Sequence, residues 1–170
     1  MKKLVLPALL ALTLAACSST GPETAGTSVE DRGAGVATVT AGSASGSGIA
    51  ALTDPNNILS KRSVFFDFDS YVIKQEARAL VEAHARFLVQ NPQMRMLIQG
   101  NTDERGSREY NLALGQKRAD VVKQALMLLG AKEAQIESVS LGEEKPRCED
   151  RTEACYGENR RGDMLYSGEF

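Results

Sequence analysis

From Ser63 to Asp69 the chain alternates Val64, Phe66 and Phe68 with Phe65, Asp67 and Asp69. A period of two is the mark of a strand with one covered face. The period then lengthens. Between Lys74 and Gln90, the residues Ala77, Leu80, Val81, His84, Phe87 and Leu88 share one side of a helical repeat, and Asn91-Pro92 ends it. Met94 to Gln99 predicts a second strand, Gly100 to Gly106 a polar turn, and Ser107 to Leu129 a long helix closed by Gly130. Gln135 to Leu141 predicts a third strand, Thr152 to Arg161 a short helix and Asp163 to Tyr166 a last short strand. This βαβαβ order with its short final helix and strand predicts an α+β fold, a two-layer α/β sandwich with helices on one sheet face.

The long helix carries an anomaly. At about 100° per residue, Tyr110, Leu114, Val121, Val122, Ala125, Leu128 and Leu129 fall in one sector, with Gln116, Lys117, Asp120, Lys123 and Gln124 outside it. Asn111 and Arg118 fall inside the apolar sector. Stranding a buried charge by removing its partner costs about 3–5 kcal/mol. Arg118 therefore predicts either an internal ion pair with one of the chain's own acids or the wall of a pocket. Asp103 and Arg105, in the turn before the helix, favour the pocket, because such turns gather backbone N–H groups and side chains at one rim. Arg118 lies about 10 Å beyond Asn111 along the helix axis. Carboxylate, amide and guanidinium in that order match a ligand with an ammonium and a carboxylate on one carbon. Asp103 would take the first and Arg118 would grip the second.

The N-terminus follows another logic. Lys2 and Lys3, an apolar run from Leu4 to Leu14 and the small residues before Cys17 form an export signal over residues 1–16. Leu14-Ala15-Ala16-Cys17 resembles the lipobox of bacterial lipoproteins, which implies lipidation of Cys17, and Ser18 after it implies the outer membrane. Several acyl chains on one Cys hold a protein where a single chain does not, each buried methylene adding about 0.8 kcal/mol. Residues 17–57 are rich in Gly, Ser, Thr and Ala and predict a flexible tether, leaving 58–170 as one folded domain.

With 20 Lys and Arg against 22 Asp and Glu, the charge of -2 leaves no basic footprint for nucleic acid. Export puts Cys148 and Cys155 in an oxidising compartment, where a local disulfide is the expected pairing. A metal site fits them less well, since no second ligand pair is near and the one His lies elsewhere.

The stretches "FDFDSYVI", "GNTDERGSREYNLALGQKRADVV", "GEEKP" and "NRR" resemble the OmpA-like peptidoglycan-binding domain family over about residues 60–167, and the lipobox and tether resemble its lipid-anchored Tol–Pal branch. The long motif carries most of this, with Thr102, Asp103, Gly106, Tyr110, Asn111, Leu114, Arg118 and Ala119 at family spacing. The resemblance implies a binder of the peptidoglycan stem peptide in which Asp103 and Arg118 clasp meso-diaminopimelate. It also implies contacts from Asp69, Arg105, Asn111 and Leu114. As partners it implies peptidoglycan, the Tol proteins TolB and TolA, and the outer membrane through the lipid anchor. Asn101 departs from the pattern, standing where His is common, and so does Gly162, where Ala is usual.

Other candidates have plainer expectations. Asp67 reads as a turn cap and His84 as a satisfied histidine at the core edge, Glu143 to Lys145 as a solvated loop, and Arg160 and Arg161 as either glycan contacts or an inward pair. A cell-wall hydrolase needs paired acids in a cleft or a zinc triad, and a single His argues against it. No catalytic residue, metal or cofactor is expected. An OmpA-like protein-interaction module is the compatible alternative.

Overall fold

The computed structural model describes residues 47–170. The signal peptide, the lipobox with Cys17 and the first part of the tether lie outside the described residues. The expected tether ran to residue 57, but a short helix, α1 (Ser47–Thr53), already forms there and buries Leu52 in the core. Leu52 is an anchor that composition averaging hid.

Four strands make one sheet in the order β1-β4-β2-β3: β1 (Ser63–Phe65), β2 (Met96–Asn101), β3 (Ile136–Gly142) and β4 (Arg161–Tyr166). β4 runs antiparallel to both β1 and β2, whereas β2 and β3 are parallel around the crossover helix α3 (Arg108–Leu128). The last and shortest predicted strand thus takes a central place, and starts at Arg161 rather than Asp163. Alternate residues Met96 and Ile98 of β2 and Met164 and Tyr166 of β4 enter the core. There they meet Val81, Ala85 and Leu88 of α2 (Arg78–Gln90) and Val122 and Leu126 of α3. A fourth helix, α4 (Glu153–Asn159), precedes β4.

Local chemistry sets the helix limits. The Ser107 hydroxyl accepts from Tyr110 N at 3.2 Å and caps α3. Gly130 leaves the helix at φ 103°, and Ala131 N donates back to Leu126 O at 3.1 Å. α2 ends where the Asn91 amide donates to Phe87 O at 2.8 Å, ahead of Pro92. The anticipated first strand is cut to three residues, since Phe66 N reaches Arg160 O and the chain then turns away at Asp67. Asp67 does not cap that turn. Its side chain pairs with Lys74 Nζ at 2.7 Å.

The buried face of α3 is rotated from the expected one. It comprises Asn111, Leu114, Gly115, Arg118, Ala119, Val122 and Leu126, while Tyr110 is half-exposed and Leu128 is 88% exposed. Gly115 causes the shift. A Cβ on Gly115 would lie 2.8 Å from Gly100 O, and one on Gly100 only 1.8 Å from Gly115 O. Backbone meets backbone there, and the helix rolls its small residues onto β2.

Candidate functional site

β2 ends at Asn101, and Thr102 N still bonds to Gly142 O of β3 at 2.8 Å before the chain turns into α3. The turn therefore sits on two strand ends and beside the loop after β1. Asp69 in that loop holds φ 53°, a left-handed conformation uncommon outside glycine. Asp69, Asp103, Arg105, Asn111, Leu114 and Arg118, the six residues singled out from the sequence, line one open cavity of about 200 Å³ with Phe68, Tyr110 and Arg160.

Arg118 resolves the anomaly in a third way. It is fully buried, and no carboxylate lies within salt-bridge distance among the described residues. Its Nε donates to Ser70 O at 2.8 Å, Nη1 to Asn101 O at 2.9 Å and Nη2 to Asp67 O at 3.1 Å. Its Cζ stands 5.3 Å from the Phe66 ring centre. Three of the five guanidinium N–H groups are thus spent on backbone carbonyls, leaving two. Burial lowers its pKa to about 10, opposed by the nearby Asp103, so it stays cationic at neutral pH.

Asp103 is engaged on every side. Arg105 N and Nε donate to Oδ1, both at 3.1 Å, while Arg105 Nη2 at 2.7 Å and Arg160 Nη1 at 3.1 Å donate to Oδ2. Burial pushes this carboxyl up, but the hydrogen bonds from Arg105 and Arg160 prevail and hold it below the usual carboxylate range. Arg105 lies between the rings of Phe68 and Tyr156, its Cζ 4.2 and 4.3 Å from their centres. Of the two roles expected for Arg160, the structure shows the inward one: it is the partner of Asp103, and its Nε also donates to Phe66 O at 3.2 Å.

Two acceptors deep in the wall have no partner among the described residues. Asn111 Nδ2 donates to Asp103 O and to the Glu143 carboxylate, which fixes the amide's orientation and leaves Oδ1 unpaired. Thr102 Oγ1 is likewise buried and unpartnered. Glu143 is therefore tied to the site, while Glu144, paired with Arg108 at 2.7 Å, and Lys145 are exposed as a solvated loop requires. At the exposed rim the Tyr110 hydroxyl donates to Asp69.

Other polar candidates are structural. His84 is fully interior, not at the core edge. Since Lys61 O only accepts, His84 Nε2 carries the proton toward it at 2.8 Å, and Nδ1 accepts from the Tyr166 hydroxyl at 2.8 Å. Arg161 pairs with Asp163 at 2.8 Å on the sheet's other side. Gly162 leaves β4 unbroken, and a Cβ there would meet Phe66 and Val122 at ordinary contact distance. A disulfide joins Cys148 to Cys155, their Cα atoms 5.3 Å apart.

The OmpA family model matches residues 65–160, and the chain belongs to that family. Within it, the chain is similar to proteins named peptidoglycan-associated lipoprotein. That of Haemophilus influenzae is 39% identical over 153 residues, 90% of each chain. The crystal structure of the one from Burkholderia pseudomallei superposes with a TM-score of 0.68 at 56% identity, covering 69% of this chain and 99% of that one. The C-terminal domain of Helicobacter pylori MotB, at 21% identity and a TM-score of 0.58 over 63% of this chain and 84% of its own, shares the fold alone.

Proposed function

We propose that the domain binds peptidoglycan non-covalently through the meso-diaminopimelate of its stem peptide. The observation that carries this reading is Arg118: a buried cation with two spare donors, no acid paired with it among the described residues and an open cavity above it. The unpaired oxygens of Asn111 and Thr102 add acceptors to the same cavity. Spare donors suit a carboxylate and spare acceptors suit an ammonium, so the wall complements a zwitterion. Asp103, holding four N–H groups already, accepts an ammonium only by giving up an arginine. Asp69 at the rim and the unpaired oxygens of Asn111 and Thr102 are the acceptors that hold no arginine, and Asp103 anchors the wall beside them. Arg118 has no exposed surface, so direct grip requires the rim to open.

The names of the relatives support a peptidoglycan-associated lipoprotein; its proposed anchoring through Cys17 in the outer membrane, facing the periplasm, rests on the lipobox and Ser18. Tol proteins (TolB and TolA) are the proposed protein partners, and the exposed Phe68 and Tyr110 at the cavity mouth are the side chains through which they would compete. The role is non-enzymatic. Incubating the chain with purified cell wall tests this. Co-sedimentation without soluble fragments is expected, release of muropeptides would make it a hydrolase, and failure to pellet would remove the binding reading.

A further inference from the structure

The cavity's ionic wall is not held by cavity residues alone. Glu153, the first residue of α4, sends Oε1 to Arg160 Nη2 at 2.7 Å and Oε2 to Arg105 Nη1 at 3.3 Å. These are the two guanidiniums that share Asp103. Tyr156, one turn along α4, supplies the ring under Arg105. One seven-residue helix therefore touches both cations, at a carboxylate and at an aromatic face.

That helix has little means of standing alone. Helices shorter than about 12 residues are marginal in water. The Glu153 side chain is 66% exposed, where an ion pair contributes little unless its geometry is fixed from elsewhere. The fixing is visible. Cys155, buried in the middle of α4, is bonded to Cys148 in the preceding loop. At the helix end, Asn159 Oδ1 accepts from Arg147 N at 2.7 Å and Cys148 N at 3.2 Å, and its Nδ2 donates to Cys148 O at 2.7 Å. Loop and helix are clamped together around Cys148.

We propose that α4 is a positioning element of the cavity: Glu153 fixes Arg105 and Arg160, these fix Asp103, and the Cys148–Cys155 bond keeps Glu153 in place. The inference rests on the peptidoglycan reading and assigns the disulfide a role in affinity. Reducing the bond weakens the ligand's site without touching a residue that the ligand meets.

The test is calorimetric titration of the full chain, in detergent, with a muropeptide carrying meso-diaminopimelate. The species compared are the oxidised wild type, Glu153→Gln, Cys148→Ser/Cys155→Ser and the triple variant. A fifth sample is wild type treated with a dithiol, which closes to its own disulfide and leaves Cys148 and Cys155 as thiols. Glu153→Gln and loss of the disulfide are each expected to weaken binding roughly three- to tenfold. The triple variant should be no weaker than the weaker of the two, because both changes act on one contact. An oxidised wild type that does not bind removes the functional reading itself. A wild type that binds while Glu153→Gln binds as tightly overturns the positioning role, and that exposed substitution leaves the fold intact even if the serine variant does not. Effects that multiply in the triple variant show the disulfide acting by another route and overturn the link to Glu153.

Discussion

Two buried arginines lie on opposite sides of the β4 region and are satisfied by opposite means. Arg161 meets Asp163 at 2.8 Å, and the same carboxylate also accepts from Arg147 at 2.8 Å and from the Ser63 hydroxyl at 2.6 Å. Among the described residues Arg118 donates hydrogen bonds only to carbonyls. Burial lowers the pKa of both, and charge from an acid opposes it in both, but only Arg161 touches that acid. What marks a site is thus not a buried charge but a buried charge whose counter-ion is missing. The carbonyls supply geometry without neutralising it.

Truncating each arginine breaks the comparison most directly. Arg118→Ala leaves Asp67 O, Ser70 O and Asn101 O without their donor and empties a fully buried volume. The expected loss is about 3–5 kcal/mol in urea denaturation, together with muropeptide binding. Arg161→Ala leaves Asp163 the Arg147 and Ser63 contacts, so about 1–3 kcal/mol is expected with binding unchanged. If Arg161→Ala abolished binding and Arg118→Ala spared it, the assignment of the site would be reversed.

Acid sharpens the comparison with a group that no charge balances. His84 is buried with both ring nitrogens bonded, and burial depresses its pKa from 6.5 to about 4, with the Lys61 carbonyl opposing. Below pH 6.5 the unfolded chain takes up a proton that the folded chain refuses until about pH 4. Stability present at neutral pH is therefore lost as pH falls through that window, about 3 kcal/mol in all. Asp103, also depressed, acts in the same direction at lower pH. Urea midpoints at pH 7 and 4.5 should differ for the wild type and converge for His84→Gln. A wild-type midpoint that does not move over this range would refute the account.

Much of this was legible in the chain, and the reasons are local. Ser107 and Gly130 bracket α3, Asn91-Pro92 ends α2, and alternation finds β2, because each signal acts within a few residues. Of the six cavity residues, Asp103, Arg105, Asn111 and Arg118 were readable since they sit in one turn and helix, whereas Asp69 and Leu114 came only through the family resemblance. Arg160 and Glu153 were not. Arg160 reaches Asp103 across 57 residues of sequence, through a strand pairing that puts β4 beside β2, and Glu153 reaches Arg105 across 48. Asp103 looked like a free acceptor because nothing nearby in the sequence says that Arg160 folds back onto it. The roll of α3 was hidden for a similar reason, being set by contact between Gly100 and Gly115 rather than by either glycine alone.

That roll makes the smallest prediction and the cleanest one. On the helical wheel Leu126 and Leu128 lie equally far from Arg118, on either side of it, and the expected apolar sector holds only Leu128, yet the structure buries Leu126 completely and leaves Leu128 88% exposed. The sector that holds Arg118 against Ser70 O and Asn101 O is therefore the one shared with Ala119, Val122 and Leu126. Leu128→Gln is expected to stay within about 0.5 kcal/mol of the wild type, whereas Leu126→Ala should cost about 2–5 kcal/mol. Equal costs at the two positions would put the helix back on the face that its apolar residues suggest. Arg118 would then turn relative to the carbonyls that hold it, and its contrast with Arg161 would have to be explained some other way.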